Sequence, residues 1–317
     1  MTQTVVASSE YRTVSEACGL LDRSERGKLS LTGSGSREFL QGQVTNDIES
    51  LAAGNGCYAA FLTPKGKMLG DLRILATEAE LLLDTERSTL QALFNLIRRF
   101  SVGYDVELHK RTLERGLLSL LGPRSFELAG IPELAGRDEH GHELVEIGGV
   151  SVRAIRTDVG LDLLCPSADT ERLVAELERA GAAPVSESVA ECLRVERGRP
   201  RYGLDLDDSV IPQEAGLNQR AVSFTKGCYV GQETVARLHY RGKPNRHLRG
   251  LKLQAEGRTG QVISSGEREV GHLGSVAESP RLGHIALALV RREVALGSTV
   301  AVGDEAADAQ VVELPFA

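Results

Sequence analysis

The chain has 317 residues, 41% of them apolar and 26% charged, and a net charge of −7. That length suits two domains, or two to three intertwined lobes, better than one small core. A mildly acidic chain is not an overall polyanion binder, and apolar runs such as 286–290 fall far short of the roughly 20 residues that span a bilayer.

The opening stretch, Met1 to Glu10, has neither a basic start nor a sustained apolar run, so no secretory signal is read and a cytoplasmic protein is expected. The first regular element in chain order is a strand at 28–32, where polar and apolar residues alternate; Gly33 and Gly35 break it, and a short helix follows from Ser36 to Gln41. Residues 57–63 and 67–76 read as two strands joined by a turn at Thr63-Pro64-Lys65-Gly66, and 81–84 as a third. Leu90, Leu93, Phe94 and Ile97 fall on one face of a helix at about 86–100. Residues 115–121 and 150–164 predict strands. A second amphipathic helix spans Asp169 to Ala180, with Gly181 as its C-cap. A third runs from an N-cap at Ser186 to about Arg197, where Gly198-Arg199-Pro200 ends it. Residues 201–225 show little periodicity. After about 245 short β-like pieces (248–253, 260–263, 270–277, 284–290, 299–302 and 309–313) are separated by Gly, Ser and Pro, a spacing that predicts a small antiparallel barrel. The boundary is placed near 241–247, giving regions 1–240 and 241–317.

Cys18, Cys57, Cys165, Cys192 and Cys228 are odd in number and scattered, with no Cys-x-x-Cys or Cys/His ligand spacing, so neither a disulfide framework nor a metal site is indicated. The third helix holds an anomaly. Val189, Cys192, Leu193 and Glu196 share a face, so that a carboxylate projects from apolar surroundings. Such a group must be paired or hydrogen-bonded if buried. Either Glu196 reaches solvent or pairs with Arg194 or Arg199, or it faces a pocket and accepts paired N–H bonds from a ligand.

Beyond that helix come Arg199-Pro200-Arg201-Tyr202-Gly203-Leu204-Asp205 and Pro212-Gln213-Glu214-Ala215-Gly216-Leu217. Together with Arg194-x-Glu196 this series resembles the folate-binding core of the aminomethyltransferase family, which includes the glycine-cleavage T-protein and the YgfZ-type folate-binding proteins. Phe39 to Ile48 looks like the family's N-terminal signature, Pro64 to Leu72 like its first hairpin, and Gly271 to Ser275 like the start of its barrel. The likeness covers nearly the whole chain in order. It implies an α+β fold of two interwoven lobes around a folate channel, with a C-terminal antiparallel β-barrel, and tetrahydrofolate or a one-carbon derivative as cofactor. Glu196 matches the carboxylate that holds the pterin edge, where two parallel acceptors suit adjacent N–H donors. Tyr202 belongs to the same frame. Asp71 matches the acid that sits beside the reacting folate nitrogen in the T-protein, although T-proteins carry an Asp-Asp pair where this chain has Gly70-Asp71; the alternative is a plain strand-edge acid.

Lys226-Gly227-Cys228-Tyr229-Val230-Gly231-Gln232-Glu233 resembles the YgfZ-type hallmark residue for residue, and departs from the Lys-Asp-Phe-Ile-Gly-Arg of T-proteins. Gly227 and Gly231 permit close approach or a positive φ, and Lys226 beside Cys228 would raise the thiolate fraction. The bland alternative is a buried structural cysteine. Downstream, Arg237, His239, Arg241, Lys243, Arg246, His247 and Arg249 form a basic run with no acid among 234–249. It reads as a solvated linker, as a cradle for the folate's glutamate tail, or as a phosphate contact. With Tyr240 as its only aromatic, nucleic acid is not expected as a partner.

The function implied is tetrahydrofolate binding in support of iron–sulfur cluster assembly or repair, with iron–sulfur proteins or assembly factors as partners and Cys228 as the functional thiol. The alternative is an aminomethyltransferase that passes a one-carbon unit to tetrahydrofolate with the help of Asp71. Whether the chain catalyses a reaction stays open between them.

Overall fold

The computed structural model describes residues 7–317 in full and Thr4 and Val5 as backbone. Three sheets carry the fold. A five-stranded sheet orders its strands Gly56–Leu62, Met68–Ala76, Leu81–Thr85, Gly27–Thr32 and Glu107–Lys110. Its apolar face (Leu29, Leu31, Phe61, Ile74, Leu83) is closed by Phe39 and Leu40 from helix Ser36–Gln43 and by Leu93 and Ile97 from helix Leu90–Phe100. A six-stranded sheet orders Ala183–Pro184, Gly19–Asp22, Arg115–Leu121, Gly160–Pro166, Val150–Arg156 and His142–Ile147. Leu173 and Leu177 of helix Thr170–Ala180 pack on it, and Gly181 ends that helix at a φ of 109°.

The chain enters the six-stranded sheet at Gly19, crosses to the five-stranded sheet at Gly27 and returns at Arg115. The two lobes are therefore interwoven, as expected. The expected barrel is also present. Strands Arg246–Leu253, Gly283–Arg291, Arg268–Ser279, Val262–Ser265, Thr299–Val302 and Ala307–Val312 pair in that order, and the last returns to the first. Every pairing among these six is antiparallel, and closure leaves no open edge in the ring. Thr4–Val5 adds alongside Arg268–Ser279 in parallel.

Helix Glu187–Glu196 joins the parts. Val189, Cys192 and Val195 pack with Leu21 and Leu121 of the six-stranded sheet and with Ile285 and Leu287 of the barrel. At its start Ser186 takes the N-cap position, but its hydroxyl donates to Glu10 instead of capping the helix. The sequence reading differs from the structure in a few elements. Helix Leu90–Phe100 starts four residues later than predicted, behind a turn in which Thr89 Oγ1 donates to the Glu86 carbonyl. Helix Ser8–Glu16 was not read, nor was helix Gln232–Arg241, which occupies the start of the basic run.

Candidate functional site

A cavity of about 230 Å³, partly open to solvent, lies where strands Met68–Ala76, Leu81–Thr85 and Gly160–Pro166 meet helix Glu187–Glu196 and segment 197–202. The sequence puts charge into its wall by strand alternation. Asp71 and Arg73 sit two apart on an otherwise apolar strand, Asp84 stands opposite Arg73 on the next strand, and Asp162 interrupts a leucine run in the other lobe.

Those charges are mostly paired. Arg73 bridges Asp84 at 2.8 Å and Asp162 at 2.6 Å, tying the two lobes together across the cavity. Arg26 holds Asp84 and Glu86, Arg199 holds Asp158, and Arg220 holds Glu139. The flanking guanidiniums keep Asp84 below the usual carboxylate range against the effect of its burial. Arg194 faces the cavity and reaches Glu191 at 2.9 Å, Asp205 at 3.1 Å and the Ser275 hydroxyl of the barrel at 2.5 Å.

Asp71 is the exception. Among the described residues it is the one carboxylate in the cavity wall without an ion pair. It accepts the Tyr58 hydroxyl at 2.5 Å, and burial pushes its carboxyl up to about 6 in spite of that bond. The wall also holds four buried nitrogens with no hydrogen-bond partner among the described residues: Arg73 Nε, His140 Nδ1, Arg201 Nε and Arg220 Nε. Burial, then Arg73, draws His140 down to about 4, so its imidazole is neutral at pH 7. Unpartnered buried polar atoms are rare in folded proteins and call for an explanation such as a ligand or water. Here they surround a space with one unneutralised acid.

Of the sequence candidates, Asp71 and Tyr202 line this cavity. Tyr202 is half-buried and donates to the Met68 carbonyl at 3.3 Å. Glu196 lines an adjacent cleft instead. It is buried on the apolar face of its helix, and its partners are neither solvent nor Arg194 or Arg199. Tyr11 donates to it at 2.9 Å, the Ser279 hydroxyl donates to it, and Arg281 lies 3.6 Å away.

The other three candidates lie outside both spaces. Lys226 is buried, and its ammonium donates to the carbonyls of Gln41 (2.6 Å), Val44 (2.8 Å) and Asn46 (2.7 Å). Burial draws it down to about 8. Its three donors are thus spent on backbone, and it binds the octapeptide to the 39–48 signature. Cys228 is exposed, unlike Cys18, Cys165 and Cys192, which are buried. Burial pushes Cys192 up to about 12. Arg237 is exposed on helix Gln232–Arg241.

Comparison with known proteins matches residues 2–226 to the GCVT N-terminal domain and residues 246–317 to the glycine cleavage T-protein C-terminal barrel domain. The chain belongs to the glycine cleavage T-protein family. It is 30% identical to an aminomethyltransferase of Geobacillus kaustophilus, over 97% of this chain and 89% of that one. It is 29% identical to a chloroplastic protein of Arabidopsis thaliana described as a transferase, over 94% of this chain and 71% of that one. The crystal structure of glycine cleavage system aminomethyltransferase T from Bartonella henselae shares its fold, with a TM-score of 0.86 at 23% identity over 98% of this chain and 89% of that one. T-protein-family aminomethyltransferases use tetrahydrofolate, the cofactor that the resemblance implied. Among the described residues no helix is long and apolar enough to cross a membrane.

Much of the T-protein-family cavity was missed from sequence: Arg73, Asp84, Glu139, His140, Asp162 and Arg220. The readable signal was a charge at alternate positions of a strand that otherwise alternates apolar, as at Asp71-Leu72-Arg73-Ile74. Arg194 was read as a partner for Glu196 and as part of the Arg194-x-Glu196 motif, not as a residue of the cavity wall.

Proposed function

We propose that the central cavity binds tetrahydrofolate and that Asp71 is the acid that faces its reacting portion. The observation that carries this reading is the combination in one wall: a carboxylate raised to about 6 with no ion pair, and four buried nitrogens with no hydrogen-bond partner among the described residues. These groups fit the chemistry of a reduced folate. A pterin presents adjacent N–H donors that suit a carboxylate, and acceptor atoms that suit orphaned N–H groups. Tetrahydrofolate, when bound, supplies a nitrogen that accepts a one-carbon unit. The chain's own part is to orient and to exclude water with Arg73, Arg201, Arg220 and Tyr202, and to hold or release a proton at Asp71 near neutral pH.

Two finer readings follow. In the first, the protein belongs to the YgfZ-type branch and supports iron–sulfur cluster assembly or repair through Cys228. The support is the octapeptide's likeness to that branch and an exposed thiol on a loop outside the cavity. In the second, the protein is an aminomethyltransferase, which the raised Asp71 favours.

Titration calorimetry with tetrahydrofolate tests the shared part. Binding by the wild type that weakens about tenfold or more in Asp71→Asn is expected, because an ionic acceptor for charge-assisted bonds is lost. No heat of binding in the wild type ends this reading. Cys228→Ser should keep folate affinity and fail to restore iron–sulfur enzyme activity in a deletion strain. Ammonia release from an aminomethyl-lipoyl carrier would select the second reading.

A further inference from the structure

Helix Gln232–Arg241 buries one of its ten residues, Val235. Arg237, Tyr240 and Arg241 stand at i, i+3 and i+4, so they share one face of it. All three are exposed, Tyr240 to 68%. Arg237, Arg241 and the exposed Lys243 just beyond the helix have no ion pair or hydrogen bond among the described residues. Glu233, one turn before Arg237, leaves it equally free. The next cation, Arg246, is by contrast spent on Glu214 at 2.9 Å. Neither Arg237 nor Arg241 lines the central cavity or the cleft at Glu196, so these charges are not placed to meet a ligand there. The helix is also tied to the loop before it. The Phe224 ring stacks on His239 with centroids 3.7 Å apart, and Tyr240 meets that pair edge-on. Cys228, which is exposed, lies between Phe224 and the start of the helix, so the stack holds its loop against the helix's last turn.

We propose that this face docks an acidic surface of a partner protein and brings it beside Cys228. Isolated arginines on a solvated helix would be ordinary. Here a large exposed aromatic stands between two unpaired guanidiniums, and Tyr and Arg are among the residues that carry most of the binding energy in protein interfaces. Held by its ring contacts, Tyr240 has little freedom left to lose on binding. The chain as a whole is acidic, with a net charge of −7, so a local basic face orients an acidic partner that the rest of the surface repels. A single-stranded nucleic acid fits less well. It needs a run of stacking platforms, and of the three rings only Tyr240 is free, since Phe224 is covered by His239. The inference does not rest on folate binding, and it uses Cys228 only as a nearby thiol that reports what the face attracts.

The test compares short peptides that are rich in Asp and Glu, neutral, or rich in Lys, each carrying one cysteine as a pyridyl disulfide. The Cys228 thiolate attacks the peptide sulfur, the sulfur–sulfur bond to the pyridine breaks, and pyridinethione leaves and is followed by its absorbance. Cys228→Ser sets the background from the other thiols. In the full-length wild type at low ionic strength the acidic peptide should react about tenfold faster than the neutral one, and added salt should shrink that ratio. Taking the ratio to the neutral peptide cancels any change in the reactivity of the thiol itself. The ratio should fall to about one in Arg237→Gln/Arg241→Gln and invert in favour of the Lys-rich peptide in Arg237→Glu/Arg241→Glu. It should persist in Arg98→Gln/Arg99→Gln, which removes two exposed charges from helix Leu90–Phe100. Equal rates for the acidic and neutral peptides in the wild type overturn the proposal, as does a preference that survives Arg237→Gln/Arg241→Gln. Fluorescence anisotropy with a labelled single-stranded oligonucleotide supplies the last arm. No binding is expected; binding that is lost in Arg237→Gln/Arg241→Gln assigns the face to nucleic acid and overturns the protein partner.

Discussion

At the scale of single residues, Asp71 carries the most chemistry. Burial lifts its carboxyl from 3.8 to about 6, so the folded protein keeps a proton that the unfolded chain has lost between those values. Stability therefore falls as pH rises through that window, and the deficit persists at pH 7. Asp71→Asn keeps an acceptor for the Tyr58 hydroxyl and removes the buried charge. It should raise stability at pH 7.5 by up to about 3 kcal/mol, and the gain should vanish as pH approaches 4. Urea unfolding of both proteins across pH checks this; a gain independent of pH would mean that the carboxylate is not strained. Glu196 is the opposite case, since the protein supplies its partners. Glu196→Ala leaves the Tyr11 and Ser279 hydroxyls short of an acceptor, and should cost about 2–3 kcal/mol of stability, measurable in the same unfolding experiment.

At the scale of elements, the octapeptide behaves as a clamp. Lys226 reaches the 41–46 turn, and Val230 donates to the Gly42 carbonyl at 3.2 Å. Gly231 has a φ of 84°, and a Cβ there would lie 2.5 Å from the Thr63 carbonyl oxygen. Gly227 has neither constraint, with nothing within 4 Å of its would-be Cβ. The two glycines that looked equivalent in sequence are therefore not. Gly231→Ala should lower stability by about 2 kcal/mol or more, and Gly227→Ala should leave the melting temperature nearly unchanged; thermal unfolding of the pair separates them. Regular elements were legible where burial follows a period. Barrel strands Thr299–Val302 and Ala307–Val312 alternate, and helix Leu90–Phe100 buries Leu90, Leu93 and Ile97 on one face. Helix Gln232–Arg241 buries Val235 alone among its ten residues, so it had no apolar stripe to read and showed only its charges.

At the scale of the whole molecule, the cavity belongs to no single lobe. Arg73 on one sheet pairs with Asp162 on the other, and Arg194 ties helix Glu187–Glu196 to the barrel through Ser275. A ligand held there bridges the parts, so binding should appear as global stabilisation. At a hundredfold excess over its dissociation constant, tetrahydrofolate should add about 2.7 kcal/mol. Differential scanning calorimetry should show that increment in the wild type and in Cys228→Ser alike, since Cys228 lies outside the cavity, and a smaller one in Asp71→Asn. The sequence by itself determined the α+β class, the six barrel strands and the family, because periodicity and ordered motifs are local properties of the chain. It also placed Glu196 on the apolar face of its helix, since the helix period fixes the face, but left open whether the carboxylate meets solvent, an arginine or a ligand. Which space that face looks into was decided only by tertiary structure. The partners of Glu196 are 185 and 83 residues away, and those of Lys226 are 180 to 185 away, so no spacing rule connects them. The same packing left Cys228 in solvent while burying Lys226 two positions before it.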